Sequence, residues 1–548
     1  MGKFWIVFLT VVVVLVSTVI LLGLWNGSGS VADIIAGQFP AAPQQLNPAT
    51  SLNPGVDAPY TVQVSVDRSN AIAHLPAEYL SFAIDASQLV GGKWWNPSAT
   101  QAEGGSGSVH APVFDFTRPR LDLLVGGLSP AYLRIGGSES DKIFYDMNAT
   151  GTAPTPPAGY PSVMTRTEWD AANAFTKRNG LKLVFTLNAG PGARQTSKTW
   201  DGSNSAALMK YSASQGYAVD TWELGNELNL FWFVHGLNQQ VSTAQYSQDL
   251  AQARTLMDQY TPNAHLSGQG SAFWPVIGEP LSVFFGFMPG YLAQPGADVD
   301  QISWHYYPQQ SRRGPIATRR ASPARMLNAD ALNEAGFWAE RMRSWRDQYA
   351  AGKPIWLGET GNAQFGGEPG LSDAYLGGLW WLDELGLVAR SGTQVVVRQT
   401  LSGSNYGMMD DVQLTPRPDY WNSLLWKRLM GTEVYSTLAE GDNSENLRVY
   451  AQSTATQAGA TTLLLINIDP TRSAQVQFPG FQNNPFQVYM LNCADLFGQE
   501  LRLNGNIVAL NSETRLPELT GKMVPAAAVP YLTLNPLAYA FVVFPKSP

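Results

Sequence analysis

Eight short apolar runs, each followed by a helical stretch, constrain what this chain can fold into more than any other feature. They are "YLSFAID", "AYLRIGG", "LKLVFTLNAG", "VDTWELGNE", "AHLSGQG", "QISWHYYP", "PIWLGET" and "VVVRQT", beginning near residue 78. Between them lie segments such as "ALNEAGFWAERMRSWRDQYA", patterned as helices. The alternation predicts an α/β fold, a (β/α)8 TIM barrel, over residues 75–430. A doubly wound open sheet alternates in the same way, but no GxGxxG or phosphate-binding loop follows a run. Most runs end in polar residues or glycine, at the end of the strand where a barrel carries its catalytic groups.

Beyond "DYWNSLLWKRLMG" the helical period stops. "LRVYAQS", "TTLLLINID", "AQVQFPG", "FQVYMLN", "LRLNGN" and "YAFVVF" follow at hairpin-like spacing and predict a C-terminal β-sandwich domain over 431–548. Far upstream, "YTVQVSV" places Val62, Val64 and Val66 on one face of a half-buried strand. Residues 59–74 are expected to join the sandwich and tie the two ends of the chain together.

Phe4 to Trp25 run 22 residues without a charge, enough to span a bilayer as a helix. The run is longer than the core of an ordinary signal peptide, and "NGSGS" follows it without a small-residue cleavage step. Residues 1–26 therefore read as an uncleaved signal anchor, an N-terminal transmembrane helix. Lys3 precedes it and the first basic residue after it is Arg68, which keeps the short end cytoplasmic and the bulk outside, at a cell surface or in a secretory lumen. Cleavage would make the protein secreted. Residues 27–58, rich in Pro, Gly and Ser, read as a linker. The net charge of −8 offers no basic field for nucleic acid. A single cysteine, Cys493, excludes an intramolecular disulfide and a Cys-rich metal site.

Two glutamates stand at the ends of apolar runs: Glu227 after the fourth, in "WELGNE", and Glu359 in the seventh, "IWLGET". On the barrel count both point into the mouth. Two carboxyls facing each other across a sugar are the minimum machinery of glycoside hydrolysis, one held protonated and the other ionised. Either glutamate alone is equally well a salt-bridged barrel-end residue; the pairing favours chemistry. Glu223 reads as a strand residue with a structural partner.

"LSPAYLRIGGSES", "WELGNE", "ISWHYYP", "IWLGET", "VVVRQTLSGSNYGMMD" and "PRPDYWNSLLWKRLMGT" together resemble glycoside hydrolase family 79, the heparanase and β-glucuronidase family, in order from about Leu75 to the C-terminus. The resemblance implies a retaining β-glucuronidase without metal or organic cofactor, acting on a glucuronic-acid-containing glycan or proteoglycan. It makes Glu227 the acid/base and Glu359 the nucleophile. Asn226 would bond the sugar 2-hydroxyl, Asp85 other sugar hydroxyls, and Tyr307 the nucleophile. The backbone N–H groups of Gly366 and Gly367, with the Tyr406 hydroxyl, would hold the uronate carboxylate. Arg134 either orients Glu359 or seals the barrel end; His305 either lines the pocket or is a neutral core histidine.

The chain departs from the animal members of the family. "SAFWPVIGEPLS" lacks their Lys/Arg cluster for sulfated chains, and "DMNATGTAPTPPAGYPS" is too short for an excisable linker. "SRRGPIATRR" reads as a solvated basic loop. Residues 91–112 form a Gly/Trp-rich insertion that would wall off one side of the cleft and favour exo action. Endo cleavage of a glucuronate-containing polysaccharide and a catalytically silent carbohydrate-binding protein on the same scaffold are the rival readings.

Overall fold

A computed structural model describes residues 57–95, 108–194, 198–275, 277–281, 286–314 and 318–546. The anchor expected over 1–26, nearly all of the linker and the centre of the 91–112 insertion lie outside the described residues. Among the described residues no helix is long and apolar enough to cross a membrane.

The first strand, Tyr60–Asp67 (β1), buries Tyr60, Val62 and Val64 and exposes the residues between them, as its alternating pattern demands. The apolar runs then become Leu80–Asp85 (β2), Tyr132–Gly136 (β3), Lys182–Leu187 (β4), Val219–Leu224 (β5), His265–Ser267 (β6), Ser271–Trp274 (β7), Ile302–Tyr306 (β8), Ile355–Thr360 (β9) and Val395–Arg398 (β10). Except between β6 and β7, each pairs in parallel with its sequence neighbours, and β10 pairs with β2. The fifth run supplies only β6, which pairs with β5; β7 lies just beyond that run, in "SAFWPVIGEPLS", and pairs with β8. The order is that of a (β/α)8 barrel opened between β6 and β7, with a single parallel bridge from Ser267 to Gln301 across the opening.

These strands read as continuous apolar runs because both faces are covered. Outward residues such as Phe82, Ile84, Leu133, Phe185 and Trp222 pack under the helices with Trp169 and Phe175. Inward residues Ala83, Tyr132, Val184, Trp356, Val395 and Val397 form a separate plug inside the ring. Full burial of one such aliphatic or aromatic side chain contributes about 1.5–3 kcal/mol. Beyond the plug the interior turns polar, beginning with Arg134 and Glu223.

Helix Pro418–Leu429 runs directly into Met430–Glu440 (β11), followed by Leu447–Thr454 (β12), Thr461–Asn467 (β13), Ala474–Gln477 (β14), Phe486–Asn492 (β15), Tyr531–Leu534 (β16) and Tyr539–Phe544 (β17). They belong to a sheet of twelve strands. β1 sits inside it, antiparallel to β11 (Val64 opposite Ala439) and parallel to β14 (Val62 opposite Val476). Val62 and Val64 share a buried cluster with Leu463, Leu465, Val542 and Phe544 from another part of the sheet, so this domain encloses its own core. Cys493 is buried just after β15. The Tyr375 hydroxyl donates to the carbonyls of Leu491 and Leu537, fastening the helix after β9 to the C-terminal domain.

Candidate active site

The chain leaves β5 through Gly225, Asn226 and Glu227. Gly225 has φ 73°, and a Cβ there would lie 2.5 Å from Leu228 Cδ1 and 2.8 Å from Ala189 Cβ, so only glycine fits. Glu227 is itself left-handed, at φ 52° and ψ 49°. For a residue other than glycine that conformation costs of order 1–3 kcal/mol and persists only where the surroundings enforce it. Here they do. The backbone N–H of Glu227 donates to the Gln269 carbonyl at 2.8 Å, that of Leu228 to Gln269 Oε1 at 2.7 Å, and that of Asn226 to Asp141 Oδ2 at 3.0 Å. Gln269 lies in the opening between β6 and β7, which frees its backbone from the sheet to clamp the Glu227 turn.

Glu359 arrives from inside β9. The register against both neighbouring strands shifts beside it, an irregularity that re-aims a strand side chain. Gly358 makes this possible: a Cβ there would sit 2.1 Å from Ser303 Oγ.

The two glutamates are 4% and 8% exposed, and they meet different partners. Glu227 Oε1 faces the Trp274 indole N–H at 3.2 Å and His305 Nδ1 at 3.0 Å. Glu359 accepts from the Tyr307 hydroxyl at 2.6 Å and from Arg134 Nη1 at 2.8 Å. His305 Nδ1 also lies 4.0 Å from Glu359 Oε2, so the ring that bonds Glu227 sits beside the second carboxyl as well. Burial pushes the Glu227 carboxyl up to about 8, with Glu223 adding and the Trp274 N–H and Arg134 opposing. Burial pushes His305 down to about 4, helped by Arg134 and opposed by Glu359 and Glu223. The imidazole is neutral at pH 7 and its contact with Glu227 is a hydrogen bond rather than an ion pair. Gly270 leaves room for the ring, since a Cβ would lie 2.1 Å from Nε2.

Arg134 organises the floor. Nε donates to Glu223 Oε2 at 2.8 Å, Nη1 to Glu359 and Nη2 to Asn226 Oδ1 at 2.9 Å. Glu223 also accepts from Thr186. An arginine only donates, so the Asn226 atom facing it is the carbonyl oxygen and the amide NH2 is turned away from it. Asp85, at the end of β2, caps helix Ala86–Val90 through the Ser87 N–H. Burial holds its carboxyl up to about 7, with Glu139 and Glu359 adding to the rise.

Gly366 and Gly367 are buried and left-handed, with φ 83° and 81°. Their carbonyls face Arg313, whose Nη2 donates to both. The Gly366 carbonyl also accepts from the N–H groups of Asn405 and Tyr406. Their own N–H groups have no partner among the described residues. Two successive buried glycines with unpaired N–H groups form a candidate nest for an anion. Tyr406 lies beside Tyr307 and Trp94 in a small apolar cluster, linking this nest to the Glu359 side of the mouth.

Sequence reasoning did not reach Gln269, Trp274, Asp141 or Arg313. "SRRGPIATRR" is not simply a solvated loop: Arg313 is 5% exposed and holds the glycine carbonyls and Asn405, while Arg312 and Arg319 pair with Glu368 and Glu334. Basic residues flanking a proline carry no signal of burial, so nothing in the sequence separates Arg313 from its neighbours.

Residues 61–386 match the model of the glycosyl hydrolase family 79 N-terminal domain. Over 479 residues the chain is 32% identical to heparanase of Mus musculus, covering 78% of this chain and 85% of that one. It is 30% identical to inactive heparanase-2 of Homo sapiens, covering 70% and 64%. Among solved structures, a 4-O-α-L-rhamnosyl-β-D-glucuronidase of Fusarium oxysporum superposes with a TM-score of 0.61 at 17% identity, covering 88% of this chain and 99% of that one.

Proposed function

Since the chain belongs to glycosyl hydrolase family 79, we propose that it is a retaining β-glucuronidase that removes glucuronic acid from the end of a glycan or other glycoside. The observation that carries the reading is the unequal setting of the paired carboxyls. Glu227 is held protonated by burial, whereas two donors, one of them charged, converge on Glu359.

In the first step Glu359 attacks the anomeric carbon while Glu227 gives its proton to the glycosidic oxygen, and the leaving group departs as its hydroxyl form. The product is a glycosyl ester on Glu359. In the second step the Glu227 carboxylate takes a proton from water, the water oxygen attacks the anomeric carbon, and Glu359 is released. Two inversions give net retention. In this reading the Asn226 amide holds the sugar 2-hydroxyl. The N–H groups of Gly366 and Gly367, with Tyr406, hold the uronate carboxylate.

Exo action is supported by the described ends of the 91–112 insertion. Lys93–Trp95 pairs with Ser108–His110, Trp95 packs edge-on to Phe365 at 5.6 Å, and Trp94 lies 6.1 Å from Tyr406. The described ends of the insertion thus pack against the loop that carries Gly366 and Gly367. The two-sided apolar core of the C-terminal sheet supports reading that domain as a β-sandwich. Localisation rests on the Phe4–Trp25 run alone, which supports an anchored protein with its barrel outside the cell or in a secretory lumen.

The test is a panel of chromogenic glycosides. Turnover of the glucuronide well above glucoside and xyloside supports the reading, and preference for the glucoside refutes the carboxylate nest. Release of monosaccharide from a long polymer supports exo action; oligosaccharide products refute it.

A further inference from the structure

The aromatic stretch after Glu227 has no part in the mechanism above. Helix Phe231–Val234 presents Trp232 and Phe233 to a recess completed by Trp274, Ile277, Gln310 and Phe365. The rings interlock: Phe233 stands edge-on to Trp274 at 5.8 Å, and Trp274 edge-on to Phe365 at 6.1 Å. Phe365 is held at φ 61°, a conformation a bulky residue adopts only under constraint. Its ring packs where Gly314 leaves room, since a Cβ there would lie 2.2 Å from it.

The recess abuts the acid. The Trp274 N–H that bonds Glu227 belongs to the same indole that walls it. The group that receives the Glu227 proton is the leaving group, so the leaving group departs over this wall. Resting on the β-glucuronidase reading, we propose that the recess is an aglycone subsite for a flat, apolar ring system, such as a phenolic or polycyclic alcohol. A sulfated or neutral sugar is the poorer occupant. No Lys or Arg lines the recess among the described residues. The Trp274 N–H is engaged by Glu227, and the Gln310 carbonyl by Thr318 and Arg319. With a lining dominated by Trp232, Phe233, Trp274, Ile277 and Phe365, sugar hydroxyls entering here would exchange water for mostly apolar surface, whereas an aryl ring gains face and edge contacts.

The experiment compares wild type with Phe233→Ala, a residue outside the catalytic contacts, on two substrates: umbelliferyl β-glucuronide, and a disaccharide with glucuronate β-linked to N-acetylglucosamine. Taking the ratio of the two proteins for each substrate cancels intrinsic leaving-group reactivity. The substitution lowers kcat/KM about 10-fold on the aryl substrate and less than about 2-fold on the disaccharide. Equal losses, or a larger loss on the disaccharide, overturn the proposal. Phe233→Leu, which keeps most of the volume, gives an intermediate loss and serves if the alanine variant does not fold. Should wild type cleave umbelliferyl glucosides and no glucuronide, the uronate reading fails alone, and the same comparison between aryl and disaccharide glucosides decides the recess.

Discussion

Arg134 donates from Nη1 to Oε2 of Glu359 at 2.8 Å, with the arginine side chain 1% and the glutamate 10% exposed. The same guanidinium holds Glu223 and Asn226. One planar fork thereby holds Glu223, Glu359 and Asn226 together, which an ammonium cannot do. Arg134→Lys folds but loses about 100-fold or more in kcat, because Glu359 and Asn226 are no longer held in one plane. Arg134→Met leaves Glu223 and Glu359 buried without a cation and costs about 3–5 kcal/mol of stability. Steady-state kinetics and thermal unfolding of the two variants separate these effects.

The alkaline limb of activity reports Glu227. The acid works only while protonated, and burial raises it to about 8. The kcat/KM on a glucuronide therefore holds its value up to about pH 8 and falls above it. Stability follows the same proton. The folded value lies above the ordinary 4.5, so the contribution is complete below pH 4.5 and is lost as pH rises through about 8. Glu227→Gln removes this titration. Its unfolding free energy, measured in urea at several pH values, declines less across that window than that of wild type.

The proposed specificity for a uronate puts its carboxylate on the N–H groups of Gly366 and Gly367. A Cβ on Gly367 would lie 2.7 Å from the Tyr406 N–H nitrogen, at φ 81°. Gly367→Ala lowers kcat/KM on the glucuronide about 100-fold or more, and lowers any activity on the matching glucoside far less. Tyr406→Phe narrows the same ratio about 10-fold, the scale for losing one hydrogen bond to a charged group. The readout is the glucuronide-to-glucoside ratio for each variant.

How legible the site was in the sequence depended on where each residue sits. Strands buried on both faces announce themselves as apolar runs, so the eight runs coincide with strands of one parallel sheet, and Glu227 and Glu359 stand out as carboxylates at their ends. The strand Ser271–Trp274 was not legible. It lies in "SAFWPVIGEPLS", read as the segment after the fifth run, and the role of the residues before it becomes visible only when Gln269 is seen clamping Glu227 and Leu228. Trp274 passes for one more core aromatic until its N–H is found on Glu227. Arg313 is hidden by surface-like neighbours, because long-range hydrogen bonds to backbone carbonyls leave no trace in local composition. His305 stood between two roles in sequence; its ring is fully buried, with Nδ1 3.0 Å from Glu227 and 4.0 Å from Glu359.

Glu227 and Glu359 also differ in how their loss is rescued. Glu227→Ala keeps its nucleophile, so with an activated aryl glucuronide and azide it regains turnover and yields the β-glycosyl azide. Glu359→Ala lacks the nucleophile, and azide in its place yields the α-product. Product stereochemistry by NMR assigns the two roles independently of rate.

The most direct test of the paired-carboxylate account is covalent trapping. Incubation with an activated fluorinated glucuronide that forms the glycosyl ester quickly and hydrolyses it slowly, followed by intact mass and peptide mapping, reads the attacking residue. The account predicts one sugar per chain, carried on the peptide containing Glu359, with activity lost in proportion. Label on Glu227 or elsewhere, or turnover with inverted product and no label, contradicts it.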